Sequence, residues 1–419
     1  MNPLNLPLKI SPNHRYLVDQ ADRPLLIQGD SAWSLISALT RDEVHLYLAN
    51  RAEKGFNAFI VNLVEHKFNG PRNRYGEEPF QNPEDLTAPN DGYFEHAESI
   101  LKSAAEYGFV VFLAPLFLGY KNKSSDEGWI HEVRIAGMAG CYQFGRYVGE
   151  RFARFNNIVW LIGCDRNPKG IQDELNSLIL GIKEFDTHNL FTVSPAPEES
   201  TLETYGWGGW LDFNATYTYQ IVHKKLLADY NRQPTMPFVL LESTYEGEHN
   251  ASPVQIRRQA YWALLCGACG QFFGNRPIWL FDPGWQDALD AQGSQDMAYL
   301  KKLFDQRPWY ELVPDQKHQV VTGGLGEFNG LDPLAASLTR DGNLLIAYLP
   351  TARGITIDMS KLSGSQVRAW WFNPRSGRDI PAGNYATRNT QSFTPPAAGD
   401  WVFVLENTAC DFPAPDTLK

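Results

Sequence analysis

Two acidic residues stand out for where they sit. Asp165 closes the apolar run NIVWLIGCD, and Glu242 follows FVLL in PFVLLESTYE. A carboxylate placed directly after a strongly apolar strand is held half out of water. That raises its pKa, and a second carboxylate nearby drives the two values apart. Such a pair can divide a reaction between a proton donor and an anionic nucleophile. Retaining glycoside hydrolysis needs that division, with the two carboxyl groups roughly 5–5.5 Å apart. Each residue also has a structural reading. Asp165 stands before Arg166-Asn167-Pro168, a setting in which Asp caps helices. For Glu242 the plainer reading is a strand-end carboxylate paired with an arginine.

Other chemistries find little support. The nine His show no HExxH or paired ligand spacing, so no catalytic metal is expected, and a Walker loop and a GxSxG elbow are both missing. Cys266-Gly-Ala-Cys269 has CxxC spacing but ends the apolar run YWALLCGACG, so it reads as buried small residues. No cofactor is expected. The five Cys of a 419-residue chain imply no disulfide framework. A net charge of −11 argues against a nucleic-acid partner. No apolar run approaches the roughly 18 residues of a membrane helix. The N-terminus MNPLNLPLKISPNHRY lacks a charged segment leading into an apolar one. The expected location is cytoplasmic, or outside the cytoplasm if an export signal has been removed.

The elements that must position the two carboxylates form a repeating pattern. Eight strand-like runs are legible: 24–33, 57–64, 110–119, 157–165, 190–196, 212–220, 237–246 and 270–279. They are nearly continuous in apolar residues, as strands buried on both faces are. Helical patterns lie between them. One starts at Thr40, where Glu43 three residues later makes a capping box, and runs to Gly55. Others cover 91–107 and about 130–155, and follow Pro168, Pro253 and Gly293. Strand and helix alternating eight times predict a (β/α)8 TIM barrel over residues 1–309, with the first 20 or so residues closing its bottom or pairing with the second domain. A doubly wound sheet is the competing architecture, but its Gly-rich first turn is not found. From residue 310 to 419 the texture becomes short strands and turn signals, which predicts a C-terminal β-sandwich.

In a TIM barrel the active site lies at the C-terminal ends of the strands. Besides Asp165 and Glu242, those ends carry Asp30, Trp33, His66, Tyr217, Tyr219 and Trp279, all read as sugar-binding candidates. Each has a plainer alternative. Asp30 suits a turn cap, Trp33 wall packing, and His66 a satisfied loop residue or a support for either catalytic carboxylate. Tyr217 and Tyr219 share parity on one strand, so both point the same way, and one hydroxyl is expected beside Glu242. The long loop 65–90 is expected to wall the pocket. Glu246-Gly-Glu248-His249 reads as a solvated rim that could also bind a cation.

The stretches PLLIQGDSAWSL, GFNAFIVNLV, VWLIGCDRNP, FVLLESTYEGE and GQFFGNRPIW resemble the apiosidase-like glycoside hydrolases of bacteria. VRAWWFNPRSGRDI and FTPPAAGDWVFVLE resemble the domain that follows the barrel in that family. The resemblance covers about residues 8–406. It implies a retaining enzyme that releases apiose, a branched pentose, with Asp165 as acid/base and Glu242 as nucleophile. It matches the wider clan of retaining TIM-barrel glycosidases, whose acid/base ends strand four and whose nucleophile ends strand seven. Two departures are visible. Cys164 stands where relatives often have Gly, and Asp165 stands where the wider clan usually has Asn-Glu. A carbohydrate or glycoside is the implied partner. The alternatives are another sugar, such as arabinofuranose, or a barrel that binds carbohydrate without turnover. The C-terminal domain either binds polysaccharide or buttresses the barrel.

Overall fold

A computed structural model describes residues 4–66, 70–83, 85–120 and 127–416. Strands and helices alternate eight times: β1 Ile27–Ser31, α1 Arg41–Glu53, β2 Ala58–Asn62, α2 Asp91–Glu106, β3 Val110–Ala114, α3 Ile130–Phe152, β4 Ile158–Gly163, α4 Gln172–Lys183, β5 Leu190–Ser194, α5 Thr201–Tyr205, β6 Asn214–Tyr217, α6 Val222–Tyr230, β7 Phe238–Glu242, α7 Pro253–Leu265, β8 Gly270–Phe273 and α8 Gln292–Asp305. The strands are all parallel and pair in the order 5-4-3-2-1-8-7-6. The two ends of that series meet. The Asp212 N–H donates to the Phe191 carbonyl at 3.0 Å and the Thr192 hydroxyl to the Phe213 carbonyl at 2.9 Å, which brings β5 and β6 together and closes the expected TIM barrel.

Alternation along each strand sorts the side chains. Ile27, Ile60, Phe112, Leu161, Ala215 and Leu241 fill the barrel interior. Phe59, Val61, Val111, Trp160 and Leu240 face the helices. The observed strands are shorter than the apolar runs because the runs continue into the loops beyond the strands, several of which line the barrel mouth. Trp279, for example, lies on a short helix, Arg276–Leu280, rather than at the end of β8. The capping box at Thr40 forms as expected, with both reciprocal bonds present, an arrangement worth about 1 kcal/mol. Three two-residue strands at 9–10, 17–18 and 24–25 pair with one another. Leu8, Leu17 and Leu25 join the interior cluster, so this segment plugs the bottom of the barrel.

The C-terminal unit has a six-stranded and a three-stranded antiparallel sheet. The larger contains Leu312–Pro314, Ala335–Thr339, Leu344–Leu349, Gln366–Asn373, Arg378–Ala386 and Trp401–Asn407. The smaller contains Val321–Gly323, Ile355–Asp358 and Thr390–Phe393. Leu345, Ile357, Trp371 and Phe403 pack between them, which makes a β-sandwich. The strand Arg378–Ala386 escaped the sequence reading because it is polar and largely exposed. The opposite face of the larger sheet packs on the barrel. Tyr261 of α7 stacks on Tyr348 at 4.7 Å. Arg257 of α7 reaches Asp400 at 2.7 Å and Asp296 of α8 at 2.8 Å, all three buried.

Candidate active site

The ends of β4 and β7 bring Asp165 and Glu242 to one cavity of about 670 Å³ at the barrel mouth. Trp33, His66, Phe117, Tyr120, Glu127, Tyr217, Tyr219, Thr244, Tyr245, Glu248, His249, Gln255 and Trp279 complete its lining.

The approach to Asp165 is conformationally unusual. Gly163, Cys164 and Asp165 are consecutive residues with φ of 96°, 68° and 60°. A left-handed residue with a side chain costs about 1–2 kcal/mol, so the site holds strain that its surroundings must support. Gly163 cannot carry a side chain, because a Cβ there would lie 2.6 Å from the Tyr205 hydroxyl oxygen and 2.9 Å from the Ser194 carbonyl oxygen. Cys164 is fully buried in the barrel interior. Its left-handed φ accounts for the suitability of Gly at this position. The capping reading of Asp165 does not hold, since α4 begins at Gln172 with Ile171 as its cap residue. Asp165 is half-buried, and its Oδ1 is covered and makes no hydrogen bond among the described residues. Burial drives its carboxyl well above the usual range, and the neighbouring Glu242 charge drives it further.

Glu242 reaches the mouth by a local irregularity. Val239 and Leu241 face inward, so strict alternation would turn Glu242 outward. The pairing with β6 shifts register between Leu240 and Glu242, and this returns the side chain to the cavity. The Tyr219 hydroxyl donates to Glu242 Oε1 at 2.8 Å, and the Tyr217 hydroxyl lies 3.0 Å from that of Tyr219. Both tyrosines line the cavity as expected, although Tyr219 lies past the end of β6, where strand alternation no longer applies. Burial lifts Glu242 to about 7; the hydroxyls of Tyr219, Tyr217 and Tyr245 pull against that rise, and the charge of Glu248 adds to it. Its partners are hydroxyls rather than an arginine.

Tyr245 is a member that the sequence reading passed over. It is buried, its hydroxyl accepts from Trp33 Nε1 at 3.0 Å, and its ring occupies room left by Gly274, where a Cβ would sit 2.1 Å from Cδ1. Its position three residues beyond Glu242 is the only signal the sequence offers. Trp33 is therefore tied into the wall, with its ring edge-on to His66 and Phe117. His66 lines the cavity and is held by its neighbour Glu65, whose buried carboxylate bonds to the His66 backbone N–H at 2.7 Å, to its Nδ1 and to the Ser37 hydroxyl. Trp279 lines the cavity and donates its Nε1–H to Glu248 at 2.8 Å.

Asp30 requires a correction. It does not line the cavity. Ile27 packs in the barrel interior and Asp30 lies three residues on, so alternation turns its side chain outward toward α1. There it is fully buried, paired with Arg51 at 2.6 Å and bonded to the Tyr47 hydroxyl at 2.9 Å. Arg166 and Asn167 also lie off the cavity; Asn167 bonds to Glu199 at 2.8 Å. Within the loop 65–90, His66 is the lining residue among those described, and 67–69 and 84 lie outside the described residues. Cys266 and Cys269 are buried free thiols. Among the described residues no cluster of three or more His, Cys, Asp or Glu is placed to hold a metal, and no helix is long and apolar enough to cross a membrane.

Comparison with known proteins agrees with the barrel fold. A structure described as a glycoside hydrolase superposes with a TM-score of 0.85 at 24% identity, covering 97% of this chain and 98% of the other. A glycoside hydrolase family 5 structure from Bacteroides vulgatus gives the same TM-score and identity over 97% and 95%. A family 27 β-L-arabinopyranosidase from Geobacillus stearothermophilus shares the fold more distantly, with a TM-score of 0.53 at 10% identity over 91% and 96%. No curated protein matches the chain. Residues 313–406 match a family described as "Putative collagen-binding domain of a collagenase". Residues 11–311 match the family described as "Apiosidase-like, catalytic domain", so the chain belongs to the apiosidase-like family of glycoside hydrolases.

Proposed function

We propose that the chain is a retaining glycosidase that releases a terminal pentose, apiose or a sugar like it, from plant-derived oligosaccharides or glycosides. The observation that carries this reading is the unequal surroundings of two carboxyls in one cavity. Asp165 has burial and a neighbouring negative charge, with no hydrogen bond to its covered oxygen. Glu242 has a cradle of tyrosine hydroxyls that favour its anion. The proton that the pair shares therefore resides on Asp165 and the negative charge on Glu242.

Each group then has one task. Asp165 gives its proton to the leaving oxygen while a Glu242 oxygen bonds to the anomeric carbon and the glycosidic bond breaks. Asp165, now a carboxylate, takes a proton from water as that water attacks the same carbon and releases Glu242. Two inversions leave the configuration unchanged. The choice of a pentose rests on the family, and arabinofuranose would use the same steps. A cavity of about 670 Å³ has room for a sugar and part of its aglycone.

The test is a screen of aryl furanosides and pyranosides of the pentoses, with NMR of the first-formed anomer. Retention is expected, and Glu242→Ala should abolish turnover. An inverted first product excludes the mechanism, and turnover surviving in Glu242→Ala excludes the nucleophile.

A further inference from the structure

Glu246 and Glu248 stand two residues apart on the loop after β7, and the structure uses them differently. Both oxygens of Glu246 are committed to the scaffold: one accepts from Asn275 Nδ2 at 2.9 Å and the other from the Gly293 N–H at 2.8 Å. Glu246 takes no part in the cavity lining. Glu248 does line the cavity, and its side chain keeps 22% exposure there. Its Oε1 is anchored by Trp279 Nε1 at 2.8 Å. Arg276 stacks on the Trp279 ring at 5.2 Å but spends its charge on Asp282 at 2.9 Å, standing 3.9 Å from Glu248. The anchor fixes the carboxylate through one oxygen, Arg276 stands at the edge of ion-pair range of that same oxygen, and Oε2 accepts no hydrogen bond among the described residues. Glu248 and Glu242 line the same cavity.

We propose that Glu248 is a specificity-determining residue, whose Oε2 accepts a hydrogen bond from a hydroxyl of the sugar bound over Glu242. The proposal rests on the glycosidase reading above and narrows it. An anionic acceptor fixed on this wall selects a neutral sugar with a hydroxyl on that face. It disfavours one that carries a carboxylate or phosphate there, through like-charge repulsion. Three neighbouring polar groups are already engaged: Tyr219 with Glu242, Tyr245 with Trp33, and Thr244 with Gln255.

The experiment compares Glu248→Ala and Glu248→Gln with the native chain. Gln keeps an oxygen for Trp279 and controls for loss of the wall. Binding of apiose, arabinose, xylose and their single-deoxy forms is followed by titration calorimetry, and turnover of the corresponding aryl glycosides by initial rates. A hydrogen bond to a charged acceptor predicts about a ten- to hundredfold weaker binding of the preferred sugar to Glu248→Ala. KM should rise more than kcat falls. One deoxy sugar should bind native protein and Glu248→Ala equally, and that sugar names the hydroxyl. The proposal is overturned if no sugar in the panel binds Glu248→Ala more weakly than native protein, or if every deoxy form loses the same factor in both. Glu242→Ala is measured alongside. If it is inert while Glu248→Ala shows no selective loss, the specificity proposal alone fails; if it remains active, the underlying mechanism fails.

Discussion

Tyr219→Phe is the perturbation that most directly probes how Glu242 is kept anionic. It removes one hydroxyl and leaves the ring. The lost bond is a 2.8 Å contact to Glu242 Oε1. A hydrogen bond to a charged acceptor is worth about 1.5–3 kcal/mol, and about 1.4 kcal/mol corresponds to one pKa unit. Glu242 should therefore rise from about 7 by about one to two, the lower figure if the Tyr217 hydroxyl relaxes toward the vacancy. The sign follows from its role. Attack requires the ionised form, so a higher pKa moves the acid limb of the kcat/KM profile to higher pH. Loss should be about tenfold or more below the native limb and should shrink as pH rises, until ionisation of Asp165 closes the basic side. Initial rates on an aryl glycoside from about pH 5 to about pH 10 give the profile. A uniform drop at every pH, with the acid limb unmoved, would refute the reasoning; the hydroxyl would then act on the sugar rather than on the nucleophile.

Asp165→Ala should fall by at least about a hundredfold on substrates with poor leaving groups. With a dinitrophenolate leaving group, which needs no proton, the first step should survive and a burst of phenolate should appear in rapid-mixing traces; equal losses on both substrates count against Asp165 as the acid. Gly163→Ala forces a Cβ against Tyr205 and Ser194 at a φ of 96°. Activity should collapse with a smaller effect on the melting temperature, and native kinetics in that variant would show that the left-handed run does not position Asp165. Arg257→Ala leaves Asp296 and Asp400 buried without their shared guanidinium. A destabilisation of about 3–5 kcal/mol is expected, read by denaturant unfolding, and an unchanged midpoint would mean the ion triad does not hold the two domains together.

Much of the architecture was legible because it is written in local pattern. Eight buried parallel strands each need a run of apolar residues, and the capping residues mark where helices begin, so element order and barrel class follow from the chain alone. The types and order of Asp165 and Glu242 follow in the same way, from acidic residues ending the fourth and seventh runs. Parity predicts Tyr217 and Tyr219 together, and they are, although Tyr219 lies beyond the strand on which that expectation rests. The same parity, applied to β1, would have turned Asp30 away from the cavity toward α1.

What the chain could not declare are arrangements made by partners distant in sequence. Glu242 faces the cavity only because pairing with β6 shifts register beside it. Asp165 is aimed by three left-handed residues that Tyr205 and Ser194 hold from another strand and helix. The different fates of Glu246 and Glu248 depend on Asn275, Gly293 and Trp279, tens of residues downstream. Pattern in one dimension records which faces must be dry. Which polar group meets which is settled only when the barrel closes, because bonds at the mouth such as Tyr219 to Glu242 and Trp279 to Glu248 join segments that follow different strands.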